Sequence, residues 1–177
     1  KKYFFLLISF LLILIIDSLI QFFYGFNTLG FKITGDRVSS FFNDELILGS
    51  FLVRLMPIIL WFIFFLKIDL KKNIIPIIAF FSLYFITIYL SGGRTSFFLS
   101  VVIILGLFII IKDLRRILSY SIIILIFFIF ITSYFKIGNA NTFNRIFSKT
   151  YNQITKIEIN TTKSDTKIKK ELKRFNI

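Results

Sequence analysis

Three arginines and two acids carry most of the chemistry this chain offers. Arg37 lies in a polar stretch, residues 17–50, reading DSLIQFFYGFNTLGFKITGDRVSSFFNDELILGS. Arg94 follows the pair Gly92-Gly93, and Arg54 stands inside the apolar run FLVRLMPIILW. A guanidinium presents a planar fork of donors that matches phosphate oxygens. Three such forks on one side of a barrier would clamp a pyrophosphate. Asp17 and Gln21, four residues apart, share one face at a helical end. Asp17 is a candidate base or a partner that orients an arginine. Glu45, next to Asp44, is the second candidate catalytic carboxylate.

Each residue has a plainer reading. Arg37 alone would be a solvated loop charge, and Arg94 an interfacial arginine touching lipid headgroups. Arg54 is eight residues past Leu46, roughly 12 Å along a helix at 1.5 Å per residue. It faces either a polar cavity or snorkels to the surface. Asp17 would be an ordinary helix-end charge. Asp44 and Glu45 would favour the start of a following helix through its dipole.

The elements that must hold these residues are apolar. Five runs cover residues 3–20, 46–66, 74–90, 95–111 and 117–134. Each is close to the roughly 20 residues that cross a bilayer as a helix. Helices satisfy their own backbone hydrogen bonds, which lipid cannot do. The runs lack the alternation of barrel strands. The expected fold is therefore all-α, a polytopic transmembrane helical bundle with about five spans. Pro57 and Pro76 fall inside the second and third runs. Membrane bundles tolerate such kinks, and Pro76 is near a helix start.

Composition agrees. Of 177 residues, 56% are hydrophobic and 26 are Phe, with a mean hydropathy of +0.84. The net charge is +13. In a soluble chain that would suggest nucleic acid. Here the basic residues gather in loops and near the C-terminal end, so topology and lipid or phosphate contacts explain them, with no nucleic-acid partner. Cys and His are both absent. That removes disulfides, thiolate metal sites and the commonest general base. No metal and no cofactor are expected.

Lys1-Lys2, Lys67/Lys71/Lys72 and Lys112/Arg115/Arg116 mark cytoplasmic loops by the positive-inside rule. Residues 17–45, 91–94 and the stretch after 135 then lie outside. The expected organisation is a transmembrane region, 1–135, with an external loop at 17–45, followed by the start of a large external loop at 136–177. Both ends look cut, so a longer polytopic parent is expected, and a signal peptide fits residues 1–16 poorly. In the tail, Ile168, Leu172 and Phe175 have amphipathic helical spacing. Asn160-Thr161-Thr162 matches a glycosylation acceptor by pattern.

Asp17-x-x-x-Gln21, Gly25, Gly30, Arg37-x-x-x-Phe41-Phe42-Asn43-Asp44-Glu45, Gly49-Ser50 and Ser91-Gly92-Gly93-Arg94-Thr95 form an ordered series. It resembles the central part of the O-antigen ligase and O-antigen polymerase superfamily of bacterial inner-membrane enzymes, over about residues 3–135. The resemblance implies a C-type glycosyltransferase-like bundle, with about ten to twelve spanning helices in the whole enzyme. It implies transfer of a glycan from an undecaprenyl pyrophosphate carrier to a sugar hydroxyl on the periplasmic face. The acceptor is lipid A core for ligases and another carrier-linked glycan for polymerases. No nucleotide sugar and no metal enter the step. Arg37 and Arg94 stand where the motifs place pyrophosphate-binding arginines, with Arg54 as a further candidate. Ligases of this kind use a histidine in the large periplasmic loop, which this chain lacks, so these residues alone should be inactive. Position 40 is Ser where the motif often has Gly.

Two other classes compete. A transporter or flippase for an anionic lipid-linked substrate would use intramembrane arginines equally well, but predicts internal repeats and helices broken at mid-membrane. A non-catalytic membrane assembly subunit explains the helices but not the ordered polar loop.

Overall fold

The computed structural model describes residues 2–34, 36–66, 73–135, 142–148 and 150–155. Among these residues the fold is all-helical, with no β-strand. The main elements are α1 (Lys2–Tyr24), α2 (Leu48–Phe65), α3 (Ile74–Leu90), α4 (Arg94–Ile110) and α5 (Arg115–Phe135). A short π-helix, Asn144–Ser148, follows. Three stretches are long and apolar enough to cross a membrane: Lys2–Tyr24, Leu48–Phe65 and Lys112–Phe135. Helices α3 and α4 have 17 residues each, about 25 Å at 1.5 Å per residue. The chain is thus a membrane protein with at least three helices suited to spanning.

Helix α3 is the hub. It packs against α1, α2, α4 and α5, and Phe81, Tyr84, Phe85, Tyr89 and Leu90 are almost wholly buried. Its C-terminal half is therefore mostly hydrophobic on every side, as a helix enclosed by others must be, and the hydroxyls of Ser82 and Thr87 donate back to Ile78 O and Leu83 O of the same helix. The Tyr84 hydroxyl donates to the Leu52 carbonyl of α2. Pro57 lies inside α2 and has no N–H to give the Val53 carbonyl. The Tyr84 contact therefore supports α2 beside its weakened turn.

The helix ends that border the polar loop are set by glycine. Gly25 (φ 86°) ends α1 and Gly92 (φ 61°) ends α3, both in the left-handed region. Glycine enters that region without the Cβ clash other residues meet. At Gly25 the N–H donates to Gln21 O at 2.9 Å, and at Gly92 to Tyr89 O at 3.0 Å. The tail features at residues 160–162, 168, 172 and 175 lie outside the described residues.

Candidate anion site at the Gly92-Gly93 turn

The polar loop is organised by buried side chains of α1. Asp17 is 1% exposed. Its Oδ1 accepts from the Thr28 N–H (2.9 Å) and the Thr28 hydroxyl (2.5 Å). Its Oδ2 accepts from the Ser40 hydroxyl (2.6 Å) and Asn27 Nδ2 (3.3 Å). Gln21 Oε1 accepts from the backbone N–H of both Ser39 (2.9 Å) and Ser40 (2.7 Å), and its Nε2 donates to Phe31 O. Asn27 completes the knot. Its Oδ1 accepts from Leu29 N and Phe31 N, and its Nδ2 also donates to Ser40 O. A buried carboxylate is retained only when paired or fully hydrogen-bonded, and Asp17 meets that condition with four donors. The arrangement also holds Ser40 at φ 52°, a conformation that persists only when its surroundings over-determine it. The geometry makes Asp17 a positioning group.

Held this way, the loop delivers Arg37 to the turn between α3 and α4. Arg37 Nε donates to Ser91 O at 2.9 Å and Nη2 to Leu46 O at 2.8 Å. One side chain thus ties the loop to the end of α3 and the approach to α2. Val38 N adds a bond to Leu90 O at 3.2 Å. Small residues make the approach possible. A Cβ on Gly49 would lie 2.2 Å from Ser91 Oγ and 3.0 Å from Ser96 Cβ, so the start of α2 rests on the α3–α4 turn with no room for a side chain.

A second arginine arrives from a part of the chain that carried no sequence signal. Arg145, on the short π-helix, donates from Nε to Gly92 O at 3.2 Å. A Cβ on Gly92 would meet Arg37 Cγ at 3.0 Å and Arg145 Cδ at 3.3 Å. The two stems therefore flank one glycine. Burial first, and then the Arg145 charge, lower the Arg37 guanidinium pKa from its ordinary value. Arginine stays protonated regardless, so the shift reflects first the cost of taking the guanidinium out of water, with the neighbouring cation adding to it. Both acceptors of Arg37 are neutral carbonyls. Two of its five donors are engaged, and among the described residues the other three meet no acceptor. An anion at this turn would complete those donors and relieve the repulsion.

Ile146 is fully buried, and Phe147 packs edge-on against Phe97 of α4 with ring centroids 5.7 Å apart. These contacts seat the Arg145 segment. Thr142, one turn before Arg145, has a buried hydroxyl without a hydrogen-bond partner among the described residues.

The remaining predicted site residues sit differently. Arg94 opens α4, half-buried, and its Nη1 donates to Gln153 Oε1. Glu45 is exposed, with its N–H bonded to Phe42 O at 3.0 Å. Arg54 is exposed on the same face of α2 as Ile58, Trp61 and Phe65. That outward face is apolar, the setting in which an arginine snorkels. Asn27 and Arg145 are the members of this arrangement that sequence reasoning missed, and Ser40 stands out in the sequence only as a departure from the motif's Gly. Asn27 had a weak signal in its place between Gly25 and Gly30. Arg145 had none. No cluster of three or more His, Cys, Asp or Glu suited to a metal occurs among the described residues.

No known protein family, no curated protein and no solved structure matches this chain.

Proposed function

We propose that this chain is the central part of a larger enzyme of the O-antigen ligase or polymerase type, and that the chain itself crosses a bacterial inner membrane five times. It would transfer a glycan from undecaprenyl pyrophosphate to a sugar hydroxyl, on lipid A core or on another glycan, at the periplasmic face. The observation that carries the reading is the pair Arg37 and Arg145 at the Gly92 turn, with donors of Arg37 left to a ligand. In such a transfer the bond between the sugar and the pyrophosphate breaks, and negative charge grows on the departing phosphate oxygen. Preorganised guanidinium groups stabilise that charge without reorganising. Arg94, one residue beyond the turn, adds a third cation when its link to Gln153 opens. The acceptor hydroxyl must lose a proton as it attacks. Of the two carboxylates, Asp17 is committed to the loop and Glu45 is exposed, so Glu45 is the one an acceptor can reach.

The test is surface glycan transfer by cells producing the full-length protein with Arg37→Ala or Arg94→Ala. Transfer is expected to be lost in both, with membrane insertion and protein level preserved. Wild-type transfer by both variants overturns the reading. Protease resistance of the loop, measured alongside, separates lost chemistry from lost fold.

A further inference from the structure

An apolar groove lies on the side of the helical bundle, away from the arginine turn. About 500 Å³ in volume, it opens between the first half of α1, the second half of α2 and the first half of α3. Ile59, Ile63 and Phe81 are buried in its walls, while Phe5 is largely exposed at its edge. The volume is in the range of sites that hold a small molecule, roughly 300–1,000 Å³.

The lining is ordered along the helix axis. Asn73, at the N-terminal end of α3, is a polar lining residue; Pro76, Ile77, Phe80 and Leu83 continue the wall without a polar side chain. The Asn73 end of the groove therefore has a polar side chain and the partial positive charge of a helix N-terminus, and the rest of its wall is hydrocarbon. The length is informative too. Ten residues separate Asn73 from Leu83, about 15 Å of helix. One leaflet contributes half of a hydrocarbon core of about 30 Å, the same depth.

We infer that this groove is the seat of one acyl chain of a membrane phospholipid, whose headgroup lies by Asn73 at the start of α3. A polyprenyl chain is much longer than one leaflet and would overrun it. The inference rests on the membrane character of the helices and not on the proposed glycan transfer.

The experiment uses the whole chain in nanodiscs of phosphatidylethanolamine and phosphatidylglycerol, the latter bearing a diazirine near the end of one acyl chain. After photolysis, labelled peptides should map to residues 4–12 and 76–83, in excess over the exposed faces of α4 and α5. Unlabelled phosphatidylglycerol should compete. Label spread evenly over the lipid-facing helices overturns the inference, and so does displacement by undecaprenyl phosphate but not by phosphatidylglycerol.

Two variants at Ala79 sharpen the result. Ala79 lines the groove and is exposed to it, so Ala79→Trp lays an indole where the chain would lie, and labelling there should fall about tenfold. Val102→Trp, on the exposed face of α4, should leave it unchanged. Equal labelling in wild type and Ala79→Trp overturns the inference. The chain has no cysteine, so Ala79→Cys gives a unique thiol. A disulfide-linked dimer of that variant on oxidation would show a second copy in the groove, again overturning it; a monomer labelled by the phospholipid probe is the expected result.

Discussion

Arg37 Nε donates to the Ser91 carbonyl at 2.9 Å across 54 residues of chain. This bond joins the two pieces of sequence that looked most capable of chemistry. Arg37 braces the loop through this bond and its bond to Leu46 O, and in the proposed function its remaining donors serve an anion. The two roles can be separated by substitution. Arg37→Lys should keep the charge but not the simultaneous bonds to Ser91 and Leu46, because an ammonium lacks the planar fork. Pyrophosphate binding by the detergent-solubilised protein, followed by calorimetry, should weaken by about tenfold, as expected for a lost charge-assisted bond. Undiminished binding would mean that position 37 supplies only a charge.

Arg145 gives a cleaner probe of the anion. Its segment is anchored by Ile146 and by Phe147 against Phe97, so Arg145→Ala should leave the fold in place. Removing it relieves the repulsion on Arg37 but gives up the bond to Gly92 O, so stability should change little. Pyrophosphate affinity should fall about tenfold and its dependence on ionic strength should flatten, since one screened cation is gone. Unchanged affinity and salt slope would remove Arg145 from the site.

Asp17 holds the loop, so its loss should be structural. Asp17→Ala leaves the Thr28 N–H and the Ser40 and Thr28 hydroxyls without their acceptor in a buried place. Bonds to a charged group are worth about 1.5–3 kcal/mol each, with unmet donors adding a penalty. Limited proteolysis should cut within residues 25–47 much faster than in wild type. Equal protection would show that Gln21 and Asn27 hold the loop by themselves.

Gly92 and Gly106 make a matched pair. An Ala at 92 carries a positive φ and a Cβ 3.0 Å from Arg37 Cγ; at 106 it meets nothing within 4 Å. Gly92→Ala should lower the melting temperature and weaken pyrophosphate binding together, with about 1–2 kcal/mol from the left-handed backbone alone. Gly106→Ala should be neutral or stabilising by up to about 1 kcal/mol in its helix. Similar melting curves for the two variants would contradict the turn geometry.

Gly49 and Ser91 should be coupled. A Cβ at 49 falls 2.2 Å from Ser91 Oγ. Gly49→Ala should destabilise by about 1–3 kcal/mol through overpacking. Adding Ser91→Gly removes the atom it strikes and should recover part of that loss. A double-mutant cycle on thermal stability measures the coupling, and strict additivity would mean the helices do not meet there.

The sequence determined the helices, because a helix in lipid is a local solution. Each apolar run satisfies its own backbone and needs only length and composition to be recognised. The run at 74–90 has the same bounds as α3, and the runs at 46–66, 95–111 and 117–134 differ from α2, α4 and α5 by two residues or fewer at either end. The exception is instructive. The first apolar run stops at residue 20, yet α1 continues to Tyr24. Polar Asp17 and Gln21 read as an approach to water, but in the folded chain they are buried and satisfied by the loop that follows. What they bond to was not written near them. The same holds for Arg145, which reaches Gly92 from 53 residues away, and for Gly49, whose missing side chain matters only because Ser91 lies against it. The tertiary structure alone decided which polar groups would meet. Their partners are set by how α2, α3 and α4 pack, and a side chain's hydrogen-bonding capacity does not specify which distant carbonyl or carboxylate will fill it.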